Sequence, residues 1–190
     1  MVRVPLDPQT EKFQLEDLQL VRPDVRYRTS YQNAFQEMQT DTDRSAWLYL
    51  GAKAPLNIPE NDFEGYVHTL QSRETKPPPG FVCDSVYWGV IGDELVGRIS
   101  LRHELNKFLS KWGGHIGYIV RPSYRRRGIA SEMLRRMLEM ESAKRIGRLL
   151  LTCDEGNVAS EKTIVSNGGL YENTLELPDG IPKKRFWIEV

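Results

Sequence analysis

Apolar and polar residues recur with two different periods in the first half of the chain. Residues 18–21 alternate between apolar and polar side chains, which predicts a short strand. Residues 25–39 and 63–74 carry apolar side chains at helical spacing and predict two helices. Glycine and proline interrupt residues 51–62, which we interpret as a loop. Residues 1–17 are polar and contain prolines, so we assign them to an N-terminal arm.

The middle of the chain predicts a β-hairpin followed by a strand and a helix. β-Branched and aromatic residues in 86–91 and 95–101 flank a Gly92-Asp93 turn. Another strand is predicted over 115–120. The apolar residues that follow recur with a period of about 3.6, typical of one face of a helix. They predict a long helix that ends at Gly147 and buries Ile129, Ala130, Met133, Leu134, Met137 and Leu138.

The last part of the chain adds three strands and one helix. Leu149-Leu150-Leu151 is a continuous apolar run, which is typical of a strand buried on both faces. A helix over 157–167 and strands over 170–177 and 185–190 follow. This order predicts an α/β fold, with a mixed sheet flanked by helices in a single domain over residues 18–190.

Composition agrees with a globular domain and excludes several classes of partner. The 190 residues are 39% hydrophobic and 27% charged, which suits a folded chain. The 26 basic and 26 acidic residues cancel, which argues against nucleic acid and membrane surfaces as partners. The sequence has no membrane-spanning run and no secretory signal, and its two cysteines are isolated, so we expect a cytoplasmic protein. Three scattered histidines predict no metal site.

The charges are unevenly distributed although they cancel. Residues 121–150 contain nine basic and three acidic residues, so the rest of the chain is acidic by the same amount. We expect this basic segment to face an anionic ligand. The acidic remainder of the chain would attract cations instead.

The most informative segment joins the strand over 115–120 to the helix that begins near Ile129. The first N–H groups of a helix have no partner within the helix, and they bind phosphate readily. Gly128 lets the backbone approach a ligand closely, Ala130 keeps the first turn free of bulk, and Ser131 offers a hydroxyl. Positive charge is added by Arg125, Arg126 and Arg127.

The run from Arg121 to Ala130, Arg-Pro-x-x-Arg-x-x-Gly-x-Ala, resembles the acetyl-CoA pyrophosphate loop of GCN5-related N-acetyltransferases, the GNAT superfamily. Asn157-x-x-Ser160, with Asn167-Gly168-Gly169 at the end of its helix, resembles the second cofactor segment of that family. The order of elements over residues 18–190 matches too. The whole chain is most similar to a group of predicted bacterial acetyltransferases that carry a Gly-His-Ile-Gly-Tyr strand, here residues 114–118.

The resemblance implies a mostly antiparallel sheet whose central strands splay apart around the pantetheine arm of acetyl-CoA. Ile119 and Val120 would offer main-chain groups to that arm, and the Val120 amide would stabilise the tetrahedral intermediate. Asn157, with Ser160 beside it, would reach the cofactor from the far side, or Asn157 would only cap its helix. The pyrophosphate would be held by Arg125, Arg126, Arg127, Gly128, Ile129, Ala130 and Ser131.

The resemblance also implies direct acetyl transfer to an amine, but two residues of the family pattern are missing. Where many members have a carboxylate, this chain has Gly113-Gly114-His115. His115 and Glu104 are therefore the candidate general bases, with His103 as a rival. The alternative for each is a plain polar residue at a strand end, and a water chain could also serve as the base. Where some members have a tyrosine acid, this chain has Ile164, so the thiolate would leave unprotonated or take a proton from water.

The resemblance says less about the acceptor amine. The first two helices and the loop over 77–80 would line its site, with Tyr27, Tyr31, Tyr66, Tyr87 and Trp88 as candidates for lining or, more simply, for the core. We expect an acetyl-CoA-dependent N-acetyltransferase that acts on a primary amine of a small molecule or peptide. A non-catalytic CoA-binding or sensor module is the alternative function, motivated by the two missing residues. The sequence is also compatible with a homodimer.

Overall fold

The computed structural model describes residues 13–41, 62–176 and 180–190. Most of the predicted arm over 1–17, nearly all of the predicted loop over 51–62 and the last residue of the predicted strand over 170–177 lie outside these residues. The described part contains five α-helices and seven strands. None of those helices is long and apolar enough to cross a membrane.

The strands form two antiparallel sheets. The first sheet contains, in spatial order, β1 (Gln19–Val21), β2 (Asp84–Ile91), β3 (Glu94–Arg102) and β4 (Ile116–Val120). The second contains, in spatial order, β5 (Arg148–Asp154), β7 (Lys183–Glu189) and β6 (Leu170–Leu175). The predicted hairpin is confirmed as β2 and β3, which pair from Ile91 and Glu94 to Asp84 and Arg102.

The helices follow the predicted order with one difference. They are α1 (Arg28–Thr40), α2 (Phe63–Ser72), α3 (Ile129–Leu138), α4 (Glu141–Ile146) and α5 (Val158–Ser166). The single long helix predicted up to Gly147 is wrong, since it is divided into α3 and α4. Met140 has an extended backbone, with φ −71° and ψ 142°, and its side chain packs against the core, so the chain changes direction there.

Two apolar cores lie on opposite faces of the first sheet. Trp88 of β2 is fully buried beside Tyr31 of α1 and Phe63 of α2, with ring centroids 5.3 and 6.3 Å away. The opposite face is covered by α3, whose predicted apolar stripe buries Ile129, Met133, Leu134 and Met137. Leu149, Leu150 and Leu151 are also buried, as the continuous apolar run predicts.

The described end of the N-terminal arm packs on the loop that precedes α3. The ring of Phe13 lies 5.9 Å from that of Tyr124, and the Arg136 side chain donates to the Glu16 carbonyl at 3.1 Å. These contacts attach residues 13–17 to the domain, and the boundary at residue 17 stays a prediction.

Candidate active site

β4 and β5 are joined at one end and separate from there. The His115 N–H donates to the Leu150 carbonyl at 2.7 Å, and the Leu150 N–H donates to Nδ1 of His115 at 2.8 Å. Gly114, which has φ +64°, precedes this junction. A Cβ at residue 114 would lie 2.4 Å from the Leu150 oxygen, so a larger residue would push the strands apart. Beyond the junction each strand belongs to its own sheet, and we call the opening between them the splay.

The hydrogen bonds at the two ends of the β3–β4 pair show which main-chain groups face the splay. At one end the Arg102 N–H donates to the His115 carbonyl at 2.8 Å. At the other end the Arg121 N–H donates to the Val96 carbonyl at 2.9 Å. In an antiparallel pair, alternate residues bond to the partner strand. The odd-numbered residues of β4 therefore bond to β3, and the even-numbered ones turn their N–H and C=O groups toward the splay.

This alternation corrects one sequence prediction. The main chain of Ile119 bonds to Arg98 across the pair, so it is not available to a ligand in the splay. Tyr118 takes its place, and Val120 faces the splay as predicted. The Val120 carbonyl accepts a hydrogen bond from Nε of Arg125 at 3.2 Å, so its N–H is the group that a ligand would meet.

The loop after β4 brings the beginning of α3 to the open end of the splay. Gly128 is the N-cap of α3 and has φ +80°, in the left-handed region that favours glycine. The first helical hydrogen bond runs from the Glu132 N–H to the Gly128 carbonyl at 3.0 Å. The N–H groups of residues 129–131 precede it, and no described side chain caps them. These N–H groups are the donors to which the sequence prediction assigns an anion, and that role stays a prediction.

Most of the basic residues of segment 121–150 are neutralised by acids. Those that form ion pairs are Arg121, Arg125, Arg135, Arg136, Lys144 and Arg148. Arg126, Arg127 and Arg145 have no ion pair with any described residue. Arg127 lies over the rings of Phe13 and Tyr124, at 5.5 and 5.9 Å. The positive charge available to a ligand is therefore smaller than the sequence indicates, and it is centred on Arg126 and Arg127.

The opposite wall of the splay is formed by β5 and the first turn of α5. Oδ1 of Asn157 accepts from the Ser160 N–H at 3.0 Å, so Asn157 does cap α5. The Tyr118 hydroxyl reaches across from β4 and lies 2.8 Å from the Ser160 hydroxyl. Asn167, at the end of α5, donates to the Ser131 hydroxyl at 3.0 Å and so holds α3 and α5 together.

These elements enclose a cavity of about 580 Å³, within the range of small-molecule and cofactor sites. All the predicted cofactor residues except Arg127 line it, and their role in binding stays a prediction. Sequence reasoning missed several wall residues, among them Tyr118, Thr152, Cys153, Lys162 and Lys183. Tyr118 stands inside the recognised strand, whereas Lys183 comes from β7 and no local motif indicates it.

The structure places the two candidate bases differently. His115 is 7% exposed and does not line the cavity. Burial and then the charge of Arg102 lower its pKa to about 4, although the bond with Leu150 opposes this shift. Such an imidazole is a weak base that is already engaged in joining β4 to β5. Glu104 is exposed just after β3, and its rival His103 contacts the Ser85 hydroxyl at 2.8 Å.

Two further side chains limit the chemistry of the cavity. Ile164, at the position of the missing tyrosine, is fully buried in the core and has no proton to give. Cys153 lines the cavity, but burial, followed by the charge of Glu161, raises the pKa of its thiol to about 11. A thiol with this pKa is a poor nucleophile near neutral pH. The cavity therefore favours direct transfer over an acyl-cysteine intermediate.

The aromatic residues considered for the acceptor site belong mostly to the core. Tyr27, Tyr31 and Trp88 are buried, as the simpler interpretation predicts. Tyr66 is half-buried, and its hydroxyl lies 2.8 Å from that of Tyr31. Burial and this neighbour raise the pKa of Tyr31 well above its ordinary value.

A family model described as the acetyltransferase (GNAT) family matches residues 25–166. The chain belongs to this family. It is an acetyltransferase by that membership, and its two sheets, splay and uncapped α3 agree with the fold that the sequence resemblance implies. No curated protein sequence gives a significant match to this GNAT chain.

Solved GNAT structures share its fold at low sequence identity. Microcin C7 self-immunity acetyltransferase MccE, in complex with acetyl-CoA and AMP, has a TM-score of 0.60 and 14% identity, over 91% of this chain and 92% of that one. RimL, a ribosomal L7/L12 alpha-N-protein acetyltransferase in complex with coenzyme A, has a TM-score of 0.60 and 18% identity, over 91% of this chain and 94% of that one. A chimera of spermidine N-acetyltransferase SpeG from Vibrio cholerae with hSSAT has a TM-score of 0.59 and 15% identity, over 91% of this chain and 95% of that one.

Proposed function

We propose that this GNAT enzyme moves an acetyl group from acetyl-CoA directly to a primary amine of a peptide or small molecule. One observation carries the proposal: the splay of β4 and β5 opens onto the uncapped beginning of α3. Similar structures include an alpha-N-protein acetyltransferase and a spermidine acetyltransferase, so both classes of amine come into consideration. Acetyl-CoA is an intracellular metabolite and both cysteines are free thiols, so we place the reaction in the cytoplasm.

The residues of the cavity fit acetyl-CoA. The N–H groups of residues 129–131 would bind the pyrophosphate, with Arg126 beside them and Arg127 adding charge. Main-chain groups of Tyr118 and Val120 would bond to the pantetheine arm as a neighbouring strand would. When bound, acetyl-CoA supplies the thioester carbonyl that the amine attacks. The protein aligns the two reactants, which is worth several kcal/mol, and a main-chain N–H from β4 stabilises the oxyanion.

Two proton transfers must accompany the reaction. Glu104 does not line the cavity either, but it is exposed and lies two residues after Arg102, whose N–H bonds to the His115 carbonyl. We therefore assign Glu104, rather than the buried His115, to accept the proton of the attacking amine. We assign the donor role to the hydroxyl pair of Tyr118 and Ser160, which lies on the cavity wall. When the carbon–sulfur bond breaks, the sulfur keeps the electron pair and takes the Ser160 proton. Tyr118 replaces that proton and recovers its own from water.

Release of free thiol from acetyl-CoA in the presence of a panel of amines tests the proposed function. The panel should contain N-terminal peptides and small polyamines, and the thiol is measured with a chromogenic disulfide. We expect turnover that depends on both reactants. Binding of CoA without turnover on a broad panel would favour the sensor module instead, and no binding at all would refute both.

The rates of single variants should separate the two proton-transfer groups. Glu104→Gln should lower kcat/KM by about 100-fold, since one positioned base contributes roughly this much. Ser160→Ala and Tyr118→Phe should each lower kcat by about 10-fold. Full activity of both hydroxyl variants would show that the thiolate leaves without their help. Glu172→Gln, on β6 at a distance from the cavity wall, is the matched control.

A further inference from the structure

A buried ion cluster at the end of β4 has no part in the reaction as proposed. Arg121 is 4% exposed and does not line the cavity. Its guanidinium lies 2.7 Å from Glu37 of α1 and 2.7 Å from Glu94 at the beginning of β3. It also donates to the Ser30 hydroxyl at 3.4 Å and to the Leu95 carbonyl at 3.3 Å. Arg121 is therefore fully occupied by the protein and cannot serve as a phosphate ligand.

Glu37 makes a second contact with the loop between β4 and α3. Its other carboxylate oxygen accepts the Ser123 N–H at 3.2 Å, two residues beyond Arg121. Burial opposes the charge of this carboxyl, but the bonds from Arg121 and Ser123 are stronger and lower the pKa of Glu37. The group is a carboxylate at neutral pH, and it fixes both a side chain and a backbone N–H of the loop.

Asp41, the residue directly after α1, contacts the loop at a third point. Its carboxylate lies 2.5 Å from the Arg125 guanidinium. Nε of the same guanidinium donates to the Val120 carbonyl at 3.2 Å. Arg125 thereby connects the end of α1 to the last residue of β4, which faces the splay.

Negative charges beside an anion site reduce its affinity, so these two carboxylates call for an explanation. Each is neutralised by an arginine of the loop, and together they hold residues 120–125 at three points. A loop that is already fixed loses less conformational freedom when a ligand binds, and the ligand gains affinity without any new contact. The ion pairs between the end of α1 and the loop therefore fix the conformation of the loop before a ligand binds.

We propose that Glu37 and Asp41 are positioning residues for the cofactor: they set the affinity for acetyl-CoA by fixing the loop between β4 and α3, without touching the ligand. This inference rests on the proposed function, since it takes acetyl-CoA as the anion. It assigns to two carboxylates at the end of α1 a role in a site whose cavity neither of them lines.

The test measures CoA binding by titration calorimetry in the full chain with Glu37→Gln and with Asp41→Asn. Both substitutions keep the shape of the side chain and remove its charge. We expect the Kd for CoA to rise about tenfold in each, with kcat at saturating acetyl-CoA within about twofold of the original. Amide hydrogen exchange in residues 120–128 should become faster. Glu141→Gln, which breaks an exposed pair with Lys144 at 3.0 Å, is the matched control and should change neither quantity.

Each other outcome is decisive. An unchanged Kd together with a lower Tm would show that the carboxylates only stabilise the fold, and it would overturn the inference. A fall of kcat without a change in Kd would overturn it as well. If Glu37→Gln does not fold, Asp41→Asn alone decides, because its pair with Arg125 is separate from the buried cluster. Failure of the original chain to bind CoA would refute the proposed function and this inference with it.

Discussion

Replacing Gly128 by valine should weaken the binding of CoA by at least about 100-fold, a loss of roughly 3 kcal/mol. Gly128 has φ +80°, which a β-branched residue rarely adopts. A Cβ there would lie 3.0 Å from Cδ1 of Leu15, so a valine would force the N-cap out of its present conformation and displace the N–H groups of residues 129–131. A phosphate could then no longer approach those donors closely. Titration calorimetry with CoA measures the effect.

Gly147→Val is the control for backbone strain. Gly147 has φ +78° at the end of α4, and the nearest other atom to a Cβ there is 4.0 Å away. Both variants should lose thermal stability, but only Gly128→Val should lose affinity. A comparable loss of CoA binding in both would show that binding merely follows stability, and the anion site at α3 would be wrong.

Acid should destabilise the fold through His115 by about 3 kcal/mol between pH 7 and pH 4. The folded-state pKa of His115, about 4, lies below its ordinary value of 6.5. The unfolded chain therefore takes up the proton first as the pH falls. The contribution of His115 is complete above about pH 6.5, decreases down to about pH 4, and changes no further below that. Urea unfolding at several pH values measures it.

His115→Asn isolates this contribution from that of the carboxylates. The asparagine oxygen can accept the Leu150 N–H as Nδ1 does, but it does not titrate. The variant should lose the part of the pH dependence that lies between pH 6.5 and pH 4. His68→Asn, at an exposed histidine of α2, is the matched control and should keep the original slope. An identical slope in all three proteins would contradict the role of His115 at the junction of the strands.

Local patterns in the sequence were sufficient for most of the elements and for the glycine that begins α3. The period of the apolar residues locates α3, and the turn chemistry of Gly92 and Asp93 locates the β2–β3 hairpin. The proposed anion site depends only on a strand, a glycine and the first turn of a helix. Each of these features is determined by residues that are close together in the chain, so a single sequence is enough to predict it.

Features that depend on distant residues could not be predicted. Arg121 and Glu37 are 84 residues apart, so the sequence shows a basic segment where the structure shows neutralised arginines. Ile119 and Tyr118 exchange roles because strand register alternates with every residue, and only the partner strand determines the phase. His115 looks like a base in the sequence, and only its bond with Leu150 shows that it joins two sheets.

The divergence of β4 from β5 also leaves two strand edges facing each other within one molecule. An edge with unpaired N–H and C=O groups is a template for pairing with another chain, and proteins normally cover it. Here no segment of the described chain lies between the two edges, and acetyl-CoA is proposed to fill the place of a strand. By mass action, a ligand that completes the sheet also adds to the free energy of unfolding. If acetyl-CoA takes that place, it would cover both strand edges, and the Tm of the protein should rise with the concentration of acetyl-CoA.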